Sequence, residues 1–232
     1  MNLTPQQQDA LTELINIAFS RTAAALSEMT GHRVLLDPPR VALCPIGELT
    51  AHLDDLGVGE VATVHQIFTG PVAGDALLML NYDGALALSD LLIGGRSPLP
   101  RLDATDREVL TEVGNILLNA CLGMFGNLLK VKVAFSVPQL HLAALHGLLN
   151  SLIIERDGLR YALIIYTGFR VRDSTVTGYL VIVLGVASLD RLLAEVERMA
   201  MQQTGGQDAR ADRGRLGVCP RANCAIGHGG RA

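Results

Sequence analysis

Glu112-Val113-Gly114-Asn115, followed by Pro138, decides how this chain is read, because the same pattern stands earlier as Glu13-Leu14-Ile15-Asn16, followed by Pro39. In both copies Glu and Asn are three apart, and twenty-two residues separate the Asn from the Pro. The copies lie ninety-nine residues apart, room enough between them for one structural half. A long-period repeat is weighed before any single residue, because it sets the architecture.

Both copies fall on helical patterns. Over residues 5–30, Leu11, Leu14, Ile15, Ala18, Ala25, Leu26 and Met29 recur at helical spacing, with Thr22 the one polar residue on that face. Thr4 and Pro5 suit the start of a helix and Gly31 its end. Asp9, Glu13, Asn16 and Ser20 form a separate polar stripe, so the motif points away from the core. A second helix is expected from about Ala104 to Leu129, with Asp103 or Thr105 as its cap. Its buried face is Val109, Leu110, Val113, Leu117, Ala120, Cys121, Met124 and Leu128, and its polar stripe Glu108, Glu112, Asn115 and Asn119. Gly114 sits inside this helix, where it costs ~1 kcal/mol relative to Ala. Close approach of another backbone is one reason to keep it there.

Each motif helix is followed by the same kinds of element. After the first come short apolar runs around Asp37-Pro38-Pro39, strands at Val61–Phe68 and Ala76–Leu80, and a helix at Ala85–Ile93 stopped by Gly94-Gly95. After the second come strands at Lys130–Val137, Ser151–Glu155, Leu159–Gly168 and Val176–Val186, with Asp157-Gly158 as a hairpin turn, and a helix at Ser188–Gln202. Pro39 and Pro138 are read as structural, shaping the turn after each motif helix. The order predicts an α+β fold with an internal pseudo-twofold, each half a motif helix plus antiparallel sheet. The folded domain is expected over 1–203, in halves of about 1–100 and 101–203. Residues 204–232, rich in Gly and Arg, are expected to be disordered.

Composition narrows the function. The chain has 232 residues, is 49% hydrophobic and carries a net charge of −4. Its mean hydropathy is +0.32. The tail from 204 holds five Arg and two Asp, a contribution of +3, which leaves −7 on the rest. An acidic body argues against nucleic-acid binding. The longest dense apolar run, Tyr179 to Ala187, is about half of the ~20 residues a spanning helix needs, so nothing is expected to cross a membrane. The start of the sequence carries no basic leader, which points to the cytosol. Cys44 and Cys121 sit in apolar segments and read as buried side chains. Cys219, Cys224 and His228 make three ligands where a structural zinc site wants four, so no metal site is assigned. His141 and His146 flank an apolar stretch with no carboxylate or Cys at ligand spacing.

The doubled pattern resembles the CheC-type chemotaxis phosphatases, the family of CheC, CheX and FliY, and is nearest to CheC. That family's motif is Asp or Ser, three residues, Glu, two residues, Asn, twenty-two residues, Pro. Asp9, Glu13, Asn16 and Pro39 match it throughout. Glu112, Asn115 and Pro138 match in the second copy, where Glu108 replaces the leading Asp or Ser. The resemblance implies a CheC-like fold with the two motif helices side by side on one surface.

It also implies a chemistry. Residues three apart on a helix are neighbours, ~5–6 Å at Cβ. Asn is neither acid nor base, but its carboxamide can hold a water in line with an electrophile. An aspartyl phosphate, already activated, needs little more than that water. Glu13, Asn16, Glu112 and Asn115 are therefore the expected catalytic residues, with Glu pairing a receiver Lys and Asn holding the water. No cofactor of the chain's own is expected, because a CheY-like response regulator brings its own Mg²⁺. Asp9 and Glu108 serve either helix solubility or partner docking. A second reading is a non-catalytic regulator that binds the receptor deamidase CheD. For one copy, a solvated Glu and Asn on a helix is the plainer account; two copies with matched Pro spacing favour the functional one.

Overall fold

The first helix is closed at both ends by its own sequence. Thr4 Oγ1 accepts from the Gln7 backbone N–H, and the Gln7 side chain accepts from the Thr4 N–H. This capping box satisfies two donors that the first turn leaves free. Gly31 ends the helix at φ 67°, a left-handed conformation that costs Gly little. The helix, α1, spans Pro5–Thr30. A computed structural model describes residues 3–53, 56, 59–93, 101–148, 160–171 and 174–213. After α1 come β1 (Val34–Leu36), β2 (Arg40–Pro45), a 3-10 helix (Ile46–His52), β3 (Glu60–Thr69), β4 (Gly74–Asn81) and α2 (Tyr82–Ile93). The second half holds α3 (Ala104–Leu129), β5 (Ala134–Phe135), β6 (Gln139–Ala144), β7 (Arg160–Val171), β8 (Ser174–Gly185) and α4 (Val186–Arg213). The architecture is α+β, as the repeat predicts.

The two halves interlock through one antiparallel sheet. Its strand order is β1-β7-β8-β4-β3-β5, with β2 also on β7 and β6 also on β3. β4 and β8 pair at the centre. Each half thus lends its first two strands to the hairpin of the other half. The prolines sit where those lent strands bulge. Leu36 faces Phe169 and Arg40 faces Tyr166, so residues 37–39 oppose two residues of β7. Phe135 faces Phe68 and Gln139 faces His65, so residues 136–138 oppose two residues of β3. Pro39 and Pro138 each close a three-against-two bulge, where a missing N–H breaks no ladder bond. They shape a bulge and not the turn expected from the sequence.

The bulges are tied alike. The Asp37 N–H donates to Gly168 O, and the Ser136 N–H to Ile67 O, both at 2.9 Å. The buried Thr167 hydroxyl donates to Asp37 O and the buried Gln66 amide to Ser136 O.

Both faces of the sheet are covered. Alternate residues of β4 and β8 (Ala76, Leu78, Leu80, Leu180, Ile182, Leu184) meet the helices in the main core. The others (Leu77, Met79, Tyr179, Val181, Val183) pack under the 3-10 helix with Leu49, Leu53 and Leu56. Near that second face Asp75 forms a buried ion pair with Arg160 and lies 3.2 Å from His65.

Several expectations change. Lys130–Val137 is not one strand. Lys130 holds φ 53°, and the Val131 N–H donates to Gly126 O, which closes α3 before the chain extends. β6 and the 3-10 helix were not expected. On α1, Ala25 and Met29 are exposed, while Phe19 is buried. α3 buries a wider arc than expected, adding Leu118, Leu122, Phe125 and Leu129. Among the described residues one helix, α3, is long and apolar enough to cross a membrane, with a mean hydropathy of 1.4 over its best window, half of it buried. Its apolar side is spent on the sheet and the neighbouring helices.

α4 runs to Arg213, beyond the expected boundary at 203 and through Gly205-Gly206. Good helix formers, among them Gln207, Ala209, Arg210 and Ala211, carry it past the glycines. Residues 214–232 with Cys219, Cys224 and His228, the link 94–100, and the expected Ser151–Glu155 strand and Asp157-Gly158 turn lie outside the described residues.

Candidate functional site

α1 and α3 pack side by side on one face of the sheet. They run antiparallel. Leu14 and Ile17, early in α1, share a groove with Asn127 and Leu128 at the end of α3. Met29, at the end of α1, shares another with Glu108 and Glu112 near the start of α3. The two motif copies therefore stand at opposite ends of one helix pair, each turned away from the sheet.

The local sequence sets that direction. Leu11, Ile15 and Ala18 bury one stripe of α1, which leaves Asp9, Glu13 and Asn16 exposed. In α3, Leu110, Val113, Gly114 and Leu117 take the sheet side, which leaves Glu108 and Glu112 exposed and Asn115 half-buried. A Cβ on Gly114 would stand 2.5 Å from Val64 Cγ1 and 2.6 Å from Val64 Cβ. Gly114 thus lets α3 lie directly on β3, one residue before the motif Asn. A side chain, not a backbone, makes the close approach.

The two copies differ in how the Asn is held. In the second, Asn119 Nδ2 donates to Asn115 Oδ1 at 2.6 Å, and Asn115 Nδ2 points to Glu112 Oε2 at a long 3.5 Å. In the first, Ser20, the counterpart of Asn119, spends its hydroxyl on the Asn16 backbone carbonyl at 2.9 Å. The second copy lines a groove. That groove, beside Glu112, has a volume of about 300 Å³, with Leu92, Val109 and Met29 as its apolar part. A groove of about 490 Å³ between α1, α3 and α4 includes Ile17, Arg21, Met124 and Met199, but not Asp9, Glu13 or Asn16. Ile17 and Met29 are large apolar residues left 43% and 45% exposed at these places.

Other reactive groups stand elsewhere. The Cys44 and Cys121 thiols are pushed up to about 11 and about 12, by burial in both cases and additionally by the Glu48 charge for Cys44. Neither is a thiolate nucleophile at neutral pH. His141 faces His65, ring centroids 6.1 Å apart, across the β3–β6 pair. Among the described residues, no group of three or more His, Cys, Asp or Glu side chains is gathered as for a metal ion. The alignment of Asn119 on Asn115 was visible in the sequence only as a shared polar stripe; the grooves, which need Met29, Leu92 and Met199 from other helices, had no local signal.

No family model matches the chain. The sequence is 24% identical over 143 residues to the flagellar motor switch phosphatase FliY of Bacillus subtilis. That match covers 61% of this chain and 37% of the relative, so the chain spans little more than a third of that protein's length. The fold is shared with FliY of Thermotoga maritima, at a TM-score of 0.67 and 17% identity, over 85% of this chain and 99% of that one. It is also shared with the FliM middle domain of H. pylori, at 0.59 and 12%, over 83% and 99%. The FliM middle domain of Vibrio alginolyticus follows at 0.55 and 15%, over 80% and 99%.

Proposed function

We propose that the chain is a member of the CheC/CheX/FliY family of chemotaxis proteins and a phosphatase for the aspartyl phosphate of a CheY-like response regulator; the sequence likeness to one FliY and the fold shared with another support this reading. The observation that carries this reading is the pair of Glu-x-x-Asn motifs, both turned outward from an antiparallel helix pair. Each is followed at equal distance by a bulge proline.

In this reading the chain completes an active site that belongs mostly to its substrate. Glu13 or Glu112 pairs with the receiver's active-site Lys and sets the register. Asn16 or Asn115 accepts a hydrogen from a water and holds its oxygen in line with phosphorus. The water oxygen attacks, the bond between phosphorus and the aspartyl oxygen breaks, and the aspartate leaves as a carboxylate. The water's proton passes to the released phosphate or to solvent. The leaving group is already good, so positioning is the main contribution. Mg²⁺ on the receiver carries the phosphoryl charge. Asp9 and Glu108, one turn before each Glu, extend the acidic contact. The reaction takes place in the cytoplasm, where receivers are phosphorylated.

The direct test follows a phosphorylated CheY-type receiver with Mg²⁺ in excess over the chain. Release of many phosphates per chain, faster than in its absence, is the expected result; decay at the spontaneous rate overturns the reading.

A second reading is that of a binding module. It is favoured by the shared fold with FliM domains, one of which forms a FliG–FliM complex in H. pylori. In that case the motif helices dock a partner, the deamidase CheD or a flagellar switch component, without turnover. Pull-downs with each, alongside the phosphate assay, separate the two.

A further inference from the structure

We propose that Asn119 is a positioning residue that locks the Asn115 carboxamide, so that the second motif copy is pre-oriented and the first is not. The inference rests on the phosphatase reading for its kinetic consequence but on the hydrogen-bond chain for its structural one.

The direction of the chain follows from chemistry. The Glu112 carboxylate can only accept, so the Asn115 group facing it is the NH₂. Asn115 Oδ1 then faces Asn119, and only the Asn119 NH₂ can answer it, at 2.6 Å. This leaves Asn119 Oδ1 turned inward, buried and without a hydrogen-bond partner among the described residues. A buried orphan acceptor is costly, and Leu, of nearly the same shape, would avoid the cost. The orphan is a consequence of aiming the donor at Asn115. One lone pair of Asn115 Oδ1 is used; the other remains for a water, in a plane now fixed. Asn16 has no such support, because Ser20 is turned to the helix backbone.

The first experiment is on Asn119→Leu. In NMR relaxation of side-chain amides, the Asn115 NH₂ is expected to be rigid and the Asn16 NH₂ mobile in the wild type. In Asn119→Leu the Asn115 NH₂ becomes as mobile as that of Asn16, while the melting temperature holds or rises. An Asn115 amide equally rigid without Asn119, or mobile in the wild type, overturns the proposal, whatever the activity.

The kinetic arm uses Asn16→Ala to isolate the second copy. Adding Asn119→Leu is expected to lower kcat on the phosphorylated receiver by about 3- to 10-fold, the range for freeing one ordered side chain, with KM unchanged. Asn119→Asp, of equal size but without a donor, loses at least as much. Retention of kcat in both variants overturns the proposal. If the Asn16→Ala chain itself is inactive, the second copy is not catalytic, and the NMR arm alone decides.

Discussion

Gly114 shows what a single atom decides at the site. An added Cβ would enter the space of Val64, so α3 would have to lift from β3 exactly where it presents Asn115. Gly114→Ala gains ~1 kcal/mol of helix propensity, but overpacking a well-filled core costs about 1–3 kcal/mol. The variant is therefore expected to be less stable, by up to ~2 kcal/mol in chemical denaturation, against the usual benefit of Gly→Ala in a helix. The sequence marks Gly114 as out of place in a helix. It does not name Val64, fifty residues earlier, because that contact exists only once the halves interlock. The outward placement of Glu13, Asn16 and Glu112 was legible at this scale because the apolar period sets it; the hydrogen bond from Asn119 to Asn115 was not, because i, i+4 polar pairs are common on any solvated helix.

At the scale of elements, the fixed distance from Asn to Pro becomes a register. Each motif helix, its C-terminal turn and its first strand must be of one length for the proline to land in the bulge against the other half's hairpin. Pro39 and Pro138 act there by lacking an N–H and by stiffening the unfolded chain. Pro39→Ala and Pro138→Ala are each expected to cost about 0.4–1 kcal/mol, with the buried Pro39 at the upper end, seen as lowered denaturation midpoints. The motif helices, α2 and the central strands were legible from apolar period and caps. β6 was not: its residues are all exposed or half-buried, so the alternation of Gln139 to Ala144 is shallow. The end of α3 was misread because Val131 and Val133 alternate like a strand, while Lys130 adopts a backbone usually left to Gly or Asn.

At the scale of the whole molecule, neither half closes its own sheet; each borrows two strands from the other. The interlocking holds α1 and α3 side by side on one face of the sheet and gives one chain two outward motifs. It also places His141 of the second half beside His65 of the first. Burial, and then the neighbouring His65, lower the His141 pKa below 6.5. The unfolded chain takes up that proton near pH 6.5 and the folded chain only at lower pH, so this group's contribution to stability falls as pH drops below about 6.5. The melting temperature is expected to decline from pH 7 to pH 5.5, less steeply in His141→Asn. The pseudo-twofold was legible in the sequence, because equal spacings imply equal halves. The exchange of strands was not, since pairing of distant segments leaves no periodic trace.

The measurement that bears most directly on the paired motifs is the decay of a phosphorylated CheY-type receiver with the wild type, Asn16→Ala, Asn115→Ala and the double variant. The single variants are expected to keep part of the acceleration, and the double variant to fall to the spontaneous rate while melting as the wild type does. A folded double variant that still accelerates decay would show that the carboxamides do not position the water.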